Sequence, residues 1–289
     1  MPPNNGVEKM NCAMNMFLWT THVTKEHLPQ LQLVKDSGYN MVEIPVLDLS
    51  DMQHYRWLAK EIAALGLTPL AISARGEEDN PCSPDPAVRA LAVKNNKLAI
   101  DATKLLGAKK VSGLLHTALG VFTGQGPTEQ ERQWSVEVMK ETAQYAKDQG
   151  IEISLEFINR FECYLTNTTA DMAALVTEIG FDNVGILYDT FHANIEEKST
   201  SDAIKTYAHL INHVHISEND RSTPGTGQVC WDETFAALDE VNYQGTFAVE
   251  AFGLNLPELI PVVKIWRKMY ESEEQICRDA IKFIKNYRK

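Results

Sequence analysis

Four short apolar runs in this chain end in a residue able to bind a metal: Glu156 in ISLE, Asp189 in GILYD, His215 in NHVH and Glu250 in FAVE. In YDTFHANIEE (188–197) the Asp is followed by His192, Glu196 and Glu197. The two Glu suit the acidic first turn of a helix. Asp189 and His192 sit closer to the apolar run and face whatever its end faces. Three carboxylates and one imidazole brought to one place repel one another unless a cation lies between them. Oxygen-rich ligation with one imidazole suits Mn²⁺, Mg²⁺ or Co²⁺ better than a structural zinc, which favours thiolates and several imidazoles. An ion held in this way at an active-site mouth acts as a Lewis acid.

Such a site needs elements that deliver all four residues to one end. The chain repeats a unit: a helical stretch, a Gly, then a short apolar run. Gly38, Gly66, Gly107, Gly150, Gly180 and Gly245 each precede such a run, where a left-handed Gly would stop the helix. With MNMFLW at the start and INHVHIS before Glu218, there are eight strand candidates. Strands alternating with amphipathic helices imply parallel β/α units. Eight units in about 250 residues fit a closed (β/α)8 TIM barrel, whose catalytic groups sit at the C-terminal ends of the strands. The expected fold is therefore α/β: a single barrel domain over residues 1–289, with additional C-terminal helices and a flexible N-terminus at 1–10. Alternation along a strand puts Ser154 on the face of Glu156 and Ala248 on that of Glu250, with Leu155 and Val249 toward the helices.

Composition narrows the partners. A net charge of −12 repels phosphate backbones and anionic membranes, so neither nucleic acid nor a membrane is expected. No run approaches the roughly 18 apolar residues of a membrane span, and MPPNNGVEK lacks a signal-peptide core. Five scattered cysteines without a CxxC pair point away from disulfides and thiolate zinc, and toward a reducing cytoplasm.

LEFINRFE (155–162), YDTFHANIEE (188–197), HVHISENDR (213–221), PGTGQVCWDE (224–233) and YQGTFAVEAF (243–252) together resemble the ketose 3-epimerases. These are the D-tagatose and D-allulose (psicose) 3-epimerases of the xylose-isomerase-like barrels. The resemblance is densest from 150 to 255. It implies metal ligation by Glu156, Asp189, His215 and Glu250, with Mn²⁺ the leading ion and Co²⁺ or Mg²⁺ as alternatives. It places Glu162, His192 and Arg221 on the sugar. It also implies inversion at C3 of free ketoses such as D-fructose/D-allulose and D-tagatose/D-sorbose, with Glu156 and Glu250 removing and returning the proton through an enediolate. Relatives are dimers or tetramers, which implies a homo-oligomer. Two departures stand out: Ala251 where many relatives have Pro, and His116 where relatives commonly carry an aromatic lining the sugar pocket.

Other residues keep two readings. His116 either lines the pocket or is a polar loop residue, and Trp19 is either a sugar platform or core. His213 reads as a hydrogen-bonded interior residue more than a ligand, and Glu43 as support for the mouth. The rival functions are an aldose–ketose isomerase of the hydroxypyruvate or xylose type, a lyase on 3-keto sugars, an apurinic endonuclease and a non-catalytic sugar-binding barrel. The endonuclease needs more His and a basic face; the binding barrel would have lost ligands.

Overall fold

The computed structural model describes residues 10–254, 256–257 and 259–288. Apart from Met10, the expected flexible N-terminus lies outside them; Met10 is half-buried against the main core. The chain runs β1 (Cys12–Asn15), α1 (Leu28–Ser37), β2 (Met41–Pro45), α2 (Met52–Ala64), β3 (Thr68–Arg75), α3 (Pro86–Leu105), β4 (Lys110–Ala118) and α4 (Glu129–Gln149). It continues through β5 (Glu152–Glu156), α5 (Thr169–Ile179), β6 (Val184–Asp189), α6 (Thr190–Glu196), α7 (Thr200–Tyr207), β7 (Ile211–Ile216), α8 (Trp231–Glu240) and β8 (Thr246–Val249). Beyond the last strand lie the short α9 (Ile260–Val263) and α10 (Glu273–Tyr287). The strands close into one parallel barrel in sequence order, with β8 pairing back on β1. This is the (β/α)8 barrel that the repeating pattern predicts.

The alternation holds. Met14, Val42, Leu155, Val214 and Val249 face outward into the core shared with the helices. Ala13, Met41, Leu70 and Ala248 form a separate small cluster inside the barrel. Toward the mouth, the interior turns polar through Asn15, Glu43, Ser112, His213 and His215, all buried. Among the described residues no helix is long and apolar enough to cross a membrane, and all five cysteines are free.

Helix ends follow local chemistry. Thr128 and Glu131 form a reciprocal capping box on α4, and Thr168 with Asp171 does the same on α5. Gly150 takes the left-handed position after α4 at φ 69°. Gly245 does not play that part. After α8 the positive φ belongs to Asn242, at 52°, because the helix ends at Glu240, well before the glycine, and Asn tolerates the left-handed region.

Gly113 has φ +107°, and a Cβ there would lie 2.4 Å from the Ser73 carbonyl oxygen. Gly113→Ala should therefore destabilise the barrel by roughly 3 kcal/mol in urea unfolding. The loop after β7 is pinned by the buried carboxylate of Glu218. It accepts N–H bonds from Gly225 at 2.8 Å and Val229 at 3.1 Å, and the Trp231 indole N–H at 3.0 Å. Burial opposes its charge, yet these donors and the Asn219 N–H hold its carboxyl below the usual range. A depressed folded value means that the contribution is complete above the unfolded value, near about pH 4.3, and is lost as pH falls through the folded one. Glu218→Gln should cost about 3 kcal/mol at neutral pH, and its stability gap to wild type should close on acidification.

Candidate active site

Each candidate ligand sits where a strand of the barrel ends. Glu156 closes β5, Asp189 closes β6, His215 is the penultimate residue of β7, and Glu250 follows β8 directly. Their ligand atoms lie within 4.8 Å of one another, and all four residues are buried. His215 Nδ1 faces Glu250 Oε1 at 3.5 Å, Asp189 Oδ2 at 3.8 Å and Glu156 Oε1 at 3.9 Å. It has no hydrogen-bond partner among the described residues. The opposite nitrogen, Nε2, donates to Glu43 Oε2 at 2.9 Å. The free position on the ring therefore points at three carboxylates. That donor set, oxygen-rich with one imidazole nitrogen, fits a divalent cation.

The electrostatics agree. Burial, then the charge of Glu250, pushes Glu156 well above the usual carboxylate range. Burial would raise Asp189 too, but the Arg221 charge holds it well below. Burial works against charge on His215, and Glu43 and Glu250 outweigh it, pushing the imidazole up. The cluster draws in positive charge.

Arg221 supplies part of that charge. Its Nη1 donates to Asp189 Oδ2 at 2.8 Å and Glu250 Oε2 at 2.7 Å. The guanidinium lies 3.9 Å from the Phe191 ring centroid and 5.1 Å from that of Phe252. Its backbone is left-handed at φ 61°, a turn held by the Glu218 loop. His192 stands beside it. His192 Nδ1 accepts the Asn159 backbone N–H at 3.0 Å. Burial and the Arg221 charge keep the ring neutral. Nε2 lies 2.8 Å from Arg221 Nη2. The guanidinium and the imidazole thus meet side by side at the cavity wall. Asn159 also donates to Glu162 Oε1 at 2.9 Å, so the NRFE stretch ties Glu162 to His192.

These groups line one side of a cavity with an empty volume of about 680 Å³, the open mouth included. Its other walls are apolar: Phe17, Ile72, Leu114, Phe252, Val262 and Val263. Glu156, Glu162, His192, Arg221 and Glu250 all reach it. His116 and Trp19 do not.

The register of β4 explains His116. Pairing with β3 jumps from Leu114↔Ala74 to Ala118↔Arg75, so residues 115–117 leave the regular alternation. His116 turns instead to Thr166 Oγ1, at 2.9 Å, and burial lowers its pKa to about 3. Trp19 follows a 3-10 turn over Met16–Leu18 and packs half-buried on the main core; Phe17 takes the place at the pocket.

Glu196 and Glu197 do not begin a helix. Asp189 itself caps α6 by accepting the Phe191 N–H at 2.7 Å, which leaves no loop between strand and helix. Glu196 ends α6 and pairs with Arg160 at 2.7 Å. Glu197 accepts the N–H and hydroxyl of Thr169, at the start of α5, both at 2.7 Å. Sequence reasoning missed Asn15 and Asn159. Asn15 ends an apolar strand as the four ligands do, and that signal could have found it.

The xylose isomerase-like TIM barrel family model matches residues 31–287. An L-ribulose 3-epimerase of Mesorhizobium japonicum is 32% identical over 94% of this chain and 92% of its own. A D-psicose 3-epimerase of Enterocloster bolteae is 30% identical over 95% and 93%. Among solved structures, an L-ribulose 3-epimerase superposes with a TM-score of 0.91 at 31% identity, covering 96% of this chain and 94% of its own. The D-allulose 3-epimerase of Methylomonas sp. in complex with D-allulose gives 0.90 at 27%, covering 96% and 97%. Likeness of this extent, over nearly the whole of each chain, places the protein among the ketose 3-epimerases of the xylose isomerase-like TIM barrel family, enzymes acting on carbohydrates.

Proposed function

We propose that this enzyme inverts C3 of free ketoses, with D-fructose/D-allulose and D-tagatose/D-sorbose as substrate pairs, and that Glu156, Asp189, His215 and Glu250 hold a divalent cation, Mn²⁺ first and Co²⁺ or Mg²⁺ as substitutes. The observation that carries this reading is the unpartnered His215 Nδ1 set among three buried carboxylates. The cation, when bound, supplies Lewis-acid polarisation of the C2 carbonyl and offsets the negative charge that grows as C3 loses its proton.

The chain's own residues do the rest. Glu156 and Glu250 come from β5 and from the end of β8, and they reach the same cavity. One takes the C3 hydrogen as a proton and the other returns a proton to the far face. Glu250 is held on both oxygens, by Asn15 at 3.0 Å and Arg221 at 2.7 Å. His192 and Arg221, in contact at 2.8 Å on the cavity wall, offer polar contacts to a sugar oxygen. Glu162, fixed by Asn159, orients the same end of the substrate. The apolar walls offer the rest of the ketose shape more than hydrogen bonds. The D-allulose named with the Methylomonas structure fits this class of substrate.

Removing the ion and removing the sugar contact should separate. Chelation should abolish turnover and Mn²⁺ or Co²⁺ restore it. His215→Ala should weaken Mn²⁺ binding more than about 100-fold by calorimetry. Arg221→Ala should keep the ion while kcat/KM on D-fructose falls about 10- to 100-fold. The position of the moving hydrogen decides between epimerase and isomerase. Incubation with D-fructose in D₂O should yield D-allulose deuterated at C3, with C1 still protonated, as read by NMR. An aldose as sole product, or label confined to C1, rules out the C3 assignment.

A further inference from the structure

Directly below the four ligands, Glu43 is fully buried in the barrel interior and every direction of its carboxylate is taken. Oε1 accepts from Ser112 Oγ at 2.8 Å and lies 3.0 Å from His213 Nε2. Oε2 accepts from Asn15 Nδ2 and lies beside His215 Nε2, both at 2.9 Å. A carboxylate with donors on all four lone-pair sites is acceptor-only. The imidazole facing it must therefore put its proton on Nε2, which leaves Nδ1 toward Glu156, Asp189 and Glu250. Asn15 extends the same control. Its Oδ1 accepts the Phe17 N–H at 2.9 Å, so the amide cannot flip, and its Nδ2 bridges Glu43 Oε2 to Glu250 Oε1 at 2.9 and 3.0 Å.

We propose that Glu43 is the positioning residue of the metal centre: it selects the His215 tautomer that ligates through Nδ1 and, through Asn15, fixes the carboxylate of Glu250. This rests on the metal reading above. Glu43 is not one of the four clustered ligands and does not line the cavity; it works through His215 and Asn15. The partner of a ligating imidazole sets which ring nitrogen is free and how the ring is turned, and its loss commonly weakens metal binding 10- to 100-fold.

The tautomer can be read in the wild-type protein. With isotope-labelled histidine and cadmium bound, long-range proton–nitrogen correlation should show His215 protonated at Nε2 and coupled to cadmium through Nδ1. Calorimetry should then find Mn²⁺ bound about 10- to 100-fold more weakly by Glu43→Gln. Ser112→Ala removes a donor to Glu43 that does not touch His215, and it should leave the affinity little changed. A purely structural role for Glu43 would lower the melting temperature of both variants and leave the metal on Nδ1 with unaltered affinity. Cadmium coupled to Nε2, or a folded Glu43→Gln with wild-type affinity, overturns the positioning role and spares the metal reading. Wild-type protein that binds neither ion overturns both. Should Glu43→Gln fail to fold, the wild-type spectrum still decides.

Discussion

Glu156, Asp189 and Glu250 surround His215 Nδ1 with three buried carboxylates, and charge of one sign confined in this way raises the energy of every member. The neighbouring structure answers that repulsion. Arg221 bridges two of the three carboxylates, the proton affinities of Glu156 and His215 are drawn upward, and the donor set suits a divalent ion. A divalent ion proposed for that place would also offset charge that develops on a substrate. Lewis-acid chemistry on a carbonyl needs that property.

The scaffold concentrates these groups because parallel strands all end on the same side. Eight strands in sequence order bring residues as far apart as Asn15 and Glu250 within 3.0 Å. Between them and the apolar cluster of Ala13, Met41, Leu70 and Ala248 lies a polar layer, with Glu43 linking β1, β2, β4 and β7 through side-chain contacts. A buried network of this kind is favourable only when each member is satisfied. Among the described residues it is left open at Nδ1 of His213 and at Nδ1 of His215, and the latter faces the three carboxylates.

Loops refine what strands deliver. Glu218 does not touch the substrate cavity, yet it gathers backbone N–H groups and an indole, so that the turn at Arg221 can hold its left-handed φ. Asn159 performs a similar service for His192 and Glu162. The cavity is therefore polar on one side and apolar on the others, an asymmetry that orients a molecule with one reactive end.

By itself the sequence determined the barrel, because period and punctuation are local: apolar runs of strand length, amphipathic stretches between them, and Gly150 or Gly180 where a helix stops. It also determined which residues end the strands, so Glu156, Asp189, His215 and Glu250 were legible as one set, and residue 43 as their support. Tertiary structure decided what alternation could not reach. A register jump in β4 turned His116 away from the pocket, and a 3-10 turn after β1 exchanged Trp19 for Phe17. Asp189 capped its own helix and so moved Glu196 and Glu197 from the start of one helix to the end of it, where their partners are Arg160 and Thr169. Only the closed barrel brought Asn15 to Glu250 and Glu43 to His215. Those contacts depend on which strands meet in space, and no local pattern of residues encodes that meeting.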